Sequence, residues 1–310
     1  MSNKQLEVGK QLIRSLYKPL PNSHKGQNGK VLVIVGSHLF HAASLWSLKV
    51  ASRIVDMVFY SSVAENNELV KKAKEEFRDG IVVPREEIEE YINEADAILI
   101  GPWMERTEIP NSKLQIQNKF KILNLQNLEN IDDPGLQTYL LTEYLLRKYP
   151  RKKWVVDAGS LQMMQPEWVP ESAILTPHLK EFEQLKFKIQ NSKFKNKMQN
   201  LKLDEQLKLF SKEYNCVVLF KGQRDLIASK NKFTFIEGGN PGMTKGGTGD
   251  VLAGLVAGFY AKNEALLSAC AASFLNKLAG DRLYERLGTM FNASDLTDEI
   301  PITYKWCLDN

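Results

Sequence analysis

The chain of 310 residues carries a net charge of +4, is 43% hydrophobic and 25% charged, and contains three cysteines; its mean hydropathy is −0.31. That hydrophobic content can bury a sizeable core, the mild positive charge is too small to point to nucleic acid, and no apolar run is long enough to cross a bilayer. Cys216, Cys270 and Cys307 lie far apart, with no CxxC pair and no histidine at ligand spacing, so neither structural zinc nor a disulfide framework is expected and no metal ligand is assigned. The first residues, Met1 to Glu7, lack the charged-then-apolar layout of a signal peptide, and a cytoplasmic protein is expected.

In chain order, Val31 to Val35 is a β-branched run ending in Gly36-Ser37, the profile of a buried parallel strand entering a loop. Small and apolar residues at helical spacing follow from Ala42 to Arg53, then a strand from Met57 to Val63 and a charged helix from Asn67 to Phe77. This alternation is that of a βαβ unit. It recurs: Asp96 to Ile100 runs into Gly101-Pro102, Trp154 to Val156 into Asp157-Ala158-Gly159, Ala173 to Leu175 into Thr176-Pro177-His178, and Cys216 to Phe220 into Lys221-Gly222. In an open parallel sheet such exits share one edge and build the ligand crevice. Leu226 to Ser229 and Lys232 to Ile236, separated by Lys230-Asn231, predict a hairpin at one edge, and helices from Val251 to Ala261 and from Ala265 to Leu287 close the chain. Segments 107–133 and 186–206, rich in Asn, Gln, Lys and Leu, read as insertions. The basic residues between Lys186 and Lys202 read as a solvated face. With no repeat and no Pro-rich or Gly/Ser linker, residues 1–310 are expected to form a single domain.

The stretch from Gly239 to Gly254 carries the chemistry. Its glycines let main-chain N–H groups converge on one point, and a helix starting there aims the positive end of its dipole at the same point, which makes an anion hole for phosphate. Asp250 has no use as a phosphate ligand, because a carboxylate repels phosphate; it makes sense as a base acting on a nearby hydroxyl. As an alternative, Asp250 merely caps the helix. The small residues Ala253, Gly254, Ala257 and Gly258 continue into that helix and allow a close backbone approach that a cap alone does not need.

From about Leu20 to Pro301 these motifs resemble the ADP- or ATP-dependent NAD(P)H-hydrate dehydratases of the ribokinase-like superfamily. The resemblance is carried by His24-Lys25-Gly26 with Gly29 to Ile34, Asp96 to Pro102, Leu175-Thr176-Pro177-His178 with Glu181-Phe182, Leu219 to Gly222, and most specifically Asn240 to Asp250. It implies a three-layer α/β/α fold with a mostly parallel sheet. It also implies repair of hydrated NADH or NADPH: a nucleotide phosphorylates the ring hydroxyl, and loss of phosphate restores the coenzyme. On this likeness Asp250 is the base, and Gly247, Thr248 and Gly249 offer N–H groups to the transferring phosphoryl. Lys221, Gly222, Gln223, Arg224, Asp225 and Gly249 hold ADP or ATP with Mg2+, and Ala43, Gly101, His178 and Asp250 line the coenzyme side. A homo-oligomer, tetrameric in the family, and a separate epimerase are implied as well, with no nucleic-acid or membrane partner.

This chain departs from the family pattern on the coenzyme side. Phe40-His41-Ala42-Ala43 stands for Tyr-x-Gly-Ala, Gly101-Pro102-Trp103-Met104-Glu105 for Gly-Pro-Gly-Leu-Gly, and Asp157-Ala158-Gly159-Ser160-Leu161-Gln162 for Asp-Ala-Asp-Ala-Leu-Asn. Trp103 either obstructs the acceptor pocket or stacks on a flat ring. Three single-residue alternatives also stand: His178 as a helix cap, Lys221 as a strand-end charge reaching water, and Asp157 as a turn former. The alternatives for the whole chain are a ribokinase-like kinase of a vitamin precursor and a catalytically silent nucleotide-binding relative.

Overall fold

The computed structural model describes residues 1–39, 44–73, 79–108, 125, 128 and 131–310. One sheet runs through the molecule in the order β3-β2-β1-β4-β5-β6-β7-β8-β9. Its strands are β1 (Lys30–Ile34), β2 (Met57–Ser61), β3 (Ile81–Val82), β4 (Ala97–Ile100), β5 (Lys153–Val156), β6 (Ile174–Leu175), β7 (Val217–Phe220), β8 (Asp225–Ala228) and β9 (Phe233–Ile236). Pairing is parallel from β3 through β7, while β7–β8 and β8–β9 are antiparallel. The expected hairpin therefore does form the sheet edge. The central strands read as continuous Val/Ile/Leu runs because helices cover both of their faces.

Twelve helices are described: α1 (Asn3–Arg14), α2 (Ser44–Ala51), α3 (Ala64–Ala73), α4 (Ile88–Glu94), α5 (Pro134–Lys148), α6 (Ala158–Met163), α7 (Leu179–Phe187), α8 (Ser192–Gln199), α9 (Leu203–Glu213), α10 (Thr248–Lys262), α11 (Ala265–Leu287) and α12 (Ala293–Asp309). Val31, Val33 and Leu99 point to one face, against Leu48 of α2, Val251 and Leu255 of α10, Phe274 of α11 and Ile300 of α12. Leu32, Ile98 and Val156 point to the other, against Ile92 of α4, Leu141 of α5, Phe182 of α7 and Phe210 of α9. The result is the three-layer α/β/α arrangement with two cores separated by the sheet. Among the described residues, no helix is long and apolar enough to cross a membrane.

After β1 the chain builds β2 and β3 on one side and then returns to place β4 on the other. The loops leaving β1 and β4 thus diverge from adjacent strands, and the crevice between such loops is where open α/β sheets bind ligands. A hydrogen bond from the Gly36 amide to the Pro102 carbonyl, 2.8 Å, ties the two loops together at their roots. Ala43 and the rest of 40–43 lie outside the described residues, as does most of the expected insertion at 107–133. In the other expected insertion, 186–206, the chain forms α8 between the end of α7 and the start of α9.

Candidate active site

The glycine-rich stretch folds as a short 3₁₀ turn, Pro241–Thr244, followed by Lys245 to Gly247 and then α10. α10 begins at Thr248, three residues before the expected start at Val251, so Asp250 sits within the first helical turn and does not precede it. No side chain caps this helix end. Gly247 supplies the turn with φ of +96°, and a Cβ there would meet the Trp46 ring at 2.4 Å, so only glycine fits. The Gly249 N–H meets no acceptor among the described residues and remains available to an anion. Thr248 contributes differently. Its hydroxyl turns inward to the carbonyls of Met243 and Lys245, at 2.7 and 3.0 Å, and its N–H lies 3.4 Å from the Lys245 carbonyl.

Asp250 is 7% exposed. Its Oδ2 accepts a hydrogen bond from the Trp103 indole N–H at 2.7 Å. Burial and the nearby Asp157 carboxylate push its pKa up to about 7, against the pull of the Trp103 bond and the Lys221 ammonium. Three further strand exits converge beside it. Asp157, after β5, accepts from Lys221 Nζ at 2.8 Å and from Thr176 Oγ1 at 2.7 Å. Lys221, after β7, lies 3.8 Å from Glu181 Oε2. Burial pulls the Lys221 pKa down, but the Asp157 and Glu181 carboxylates outweigh it and hold the ammonium above its ordinary range. A Cβ placed on Gly249 would lie 3.8 Å from Lys221 Nζ, which puts this cation beside the N-terminus of α10.

A cleft of about 880 Å³ opens on the other side of Lys221. Lys221, Gly222, Gln223, Arg224, Asp225 and Gly249 all line it, together with Thr248 and Asn276. Within this set, Asp225 braces the wall. Its oxygens accept from the Gly222 N–H at 3.0 Å and from Ser273 Oγ at 2.7 Å, and Lys277 Nζ lies 3.3 Å away. Lys277 also donates to the carbonyls of Gly222, Gln223 and Gly238 at 2.9, 3.1 and 3.1 Å.

Several expectations about single residues are sharpened. His178 does cap α7: its Nδ1 accepts from the Glu181 N–H at 3.4 Å while Glu181 Oε2 accepts from the His178 N–H at 2.9 Å. Lys221 turns inward onto Asp157 and does not reach for water, and Asp157 binds two partners and is no plain turn former. Gly101 carries φ of +119°, and its carbonyl accepts from Met104 and Gly159. Gly159 is explained by packing, because a Cβ there would lie 2.1 Å from the Met104 carbonyl oxygen. Gln162 bridges Arg106 and Glu181 at 2.7 and 2.9 Å. Lys277 and Asp281 of α11 escaped sequence reasoning. Asp281 accepts from the Gly239 N–H and from Asn240 Nδ2, both at 3.1 Å. The available signal was a lysine and an aspartate four residues apart, hence on one face, directly after the apolar first half of the helix.

A family profile described as NAD(P)H-hydrate dehydratase matches residues 31–302. The chain belongs to the NAD(P)H-hydrate dehydratase family. It is 32% identical over 290 residues to the ADP-dependent (S)-NAD(P)H-hydrate dehydratase of Nitrosopumilus maritimus, covering 91% of each chain. It is also 32% identical over 301 residues to the bifunctional NAD(P)H-hydrate repair enzyme of Methanocaldococcus jannaschii, with 94% of this chain covered. The chain spans 51% of that relative's length, so about half of the bifunctional proteins it matches. In fold it is similar to the Bacillus subtilis ADP/ATP-dependent NAD(P)H-hydrate dehydratase co-crystallised with ATP/Mg2+, with TM-score 0.72, 20% identity, and 96% and 97% of the two chains covered. A ribokinase-like superfamily protein of Enterococcus faecalis gives TM-score 0.74 at 20% identity over 100% and 96% of the chains. The family fold, ribokinase-like α/β/α, is thus the one this chain adopts.

Proposed function

We propose that this chain dehydrates hydrated NADH or NADPH at the expense of ADP or ATP. One observation carries the reading: a buried carboxylate with a pKa near neutrality stands in the first turn of α10, beside a free helix-terminal N–H and the Lys221 ammonium. Asp250 takes the proton of the ring hydroxyl, and the hydroxyl oxygen bonds to the terminal phosphorus as the donor's bridging P–O bond breaks. The Gly247–Gly249 turn and Lys221 stabilise the charge of the moving phosphoryl. The ring C–O bond then breaks, inorganic phosphate leaves, and loss of a proton from the adjacent ring carbon restores the double bond.

The nucleotide fits the 880 Å³ cleft with Lys221 at its phosphate end. Relatives named as ADP-dependent support ADP as donor, and the Bacillus subtilis structure co-crystallised with ATP/Mg2+ supports a nucleotide-borne magnesium. A magnesium ion carried by nucleotide phosphates keeps most of its waters and needs few protein ligands. Such an ion would neutralise phosphate charge when bound. Gly101 and His178 stand on the coenzyme side in this reading, as does Ala43. The single domain with insertions at 107–133 and 186–206 belongs to the same proposal.

Incubation with hydrated NADH, magnesium and each nucleotide in turn tests it. Reduced-coenzyme absorbance and inorganic phosphate should rise together, and Asp250→Asn should lower turnover by about 10²–10⁴-fold while nucleotide still binds. A stable phosphorylated product without recovered absorbance would make the chain a simple kinase. Equal turnover in Asp250→Asn would remove the base.

A further inference from the structure

We infer that Trp103 is a positioning residue for Asp250. Gly101 to Met104 has the form of a type II turn, with Pro102 in second place, positive φ in third, and a closing bond of 3.0 Å from the Met104 N–H to the Gly101 carbonyl. The third place of such a turn suits glycine. Here it holds tryptophan at φ of +59°, a strained conformation for a bulky side chain. The strain brings the indole over the glycine loop, with a ring carbon 4.0 Å from where a Cβ of Gly246 would be, and aims its N–H at Asp250 Oδ2.

That contact is neither obstruction nor mere shape. Indole is a donor only, so it neither competes for the substrate's proton nor titrates. It fixes the carboxylate through Oδ2 and leaves Oδ1 clear of the indole. It also stabilises the ionised form, against burial and against Asp157. The charged groups facing Asp250 are Asp157 from the β5 exit and Lys221 from the β7 exit. Ser47 of α2, packed against the same turn, donates only to the Asp250 carbonyl, at 2.8 Å. Trp103 thus offsets part of the charge penalty that the site itself imposes on its base.

The inference rests on Asp250 being the base, and a titration that needs no substrate separates the two. Carbon-13 carboxyl NMR, with the Asp250 resonance assigned by its loss in Asp250→Asn, should give a midpoint near 7 in the parent. Trp103→Phe, which keeps a ring but no N–H, should move that midpoint up by about one to two pH units. Trp103→Gly, which also relieves the positive φ, should do the same, and the acid limb of kcat/KM should move in step. An unchanged midpoint in both variants overturns the positioning role, and a raised KM with an unchanged midpoint assigns Trp103 to substrate stacking. A shifted midpoint in a protein that never regenerates reduced coenzyme supports the Trp103–Asp250 contact and overturns the dehydratase reading.

Discussion

Asp250 gains its chemistry at a cost to the fold. Its pKa is raised to about 7, chiefly by burial and by Asp157, so between the ordinary aspartate value and 7 the folded chain holds a proton that the unfolded chain has released. Stability therefore falls as pH rises through that window. Asp250→Asn should unfold at a higher temperature than the parent at pH 8, by a margin of roughly a few kcal/mol, with the two converging towards pH 4; paired melts across that range measure it. Gly159 makes the reverse point about a residue chosen for space. Gly159→Ala should lose about 1–3 kcal/mol or more in denaturant melts, because its Cβ would fall 2.1 Å from the Met104 carbonyl oxygen, and the Trp103 turn would shift with it.

Helix α11 shows how an element distant in sequence shapes the site. It is largely buried, and Lys277 and Asp281 reach from it to the loops on either side of the 880 Å³ cleft, at Gly222–Gln223 and at Gly238–Asn240. The Lys277–Asp225 pair is almost fully enclosed, with side chains 7% and 6% exposed. Removing one partner leaves the other charge buried, which costs about 3–5 kcal/mol. Lys277→Met should lose stability of that order by urea titration and weaken ADP binding in calorimetry, whereas Arg224→Ala, at the exposed rim of the same cleft, should leave stability nearly unchanged. Asn276, beside Lys277, lines the cleft with a buried Oδ1 that has no partner among the described residues.

At the scale of the whole molecule, the sheet order brings the exits of β4, β5, β6 and β7 to one edge, where Trp103, Asp157 and Lys221 face the start of α10 and His178 caps α7. In the proposed reaction a nucleotide bound there would bridge the sheet edge and the helical layer and stabilise the fold by mass action. ADP at 100 times its Kd should add about 2.7 kcal/mol and raise Tm by roughly 5 °C in differential scanning. Lys221→Met should abolish most of that increment, although its own Tm also falls because Asp157 and Glu181 lose their cation.

The repeated strand-then-glycine pattern made the parallel sheet and its edge hairpin legible from the chain alone, since each is set by residues close in sequence. Period and turn chemistry are local, and so α11 was predicted from Ala265 to Leu287, the bounds it has. α1 and α12 do carry local start signals, capping boxes at Ser2 with Gln5 and at Asn292 with Asp295, which the sequence reading passed over, whereas the two-residue strand β3 emerges only through pairing with β2. Asp250 could be proposed as a base from its glycine setting, but neither its raised pKa nor the indole N–H of Trp103, 147 residues away, was legible there. Those depend on distances across the crevice and on exclusion of water, and only the folded chain brings opposing charges and an indole N–H within reach of one carboxylate.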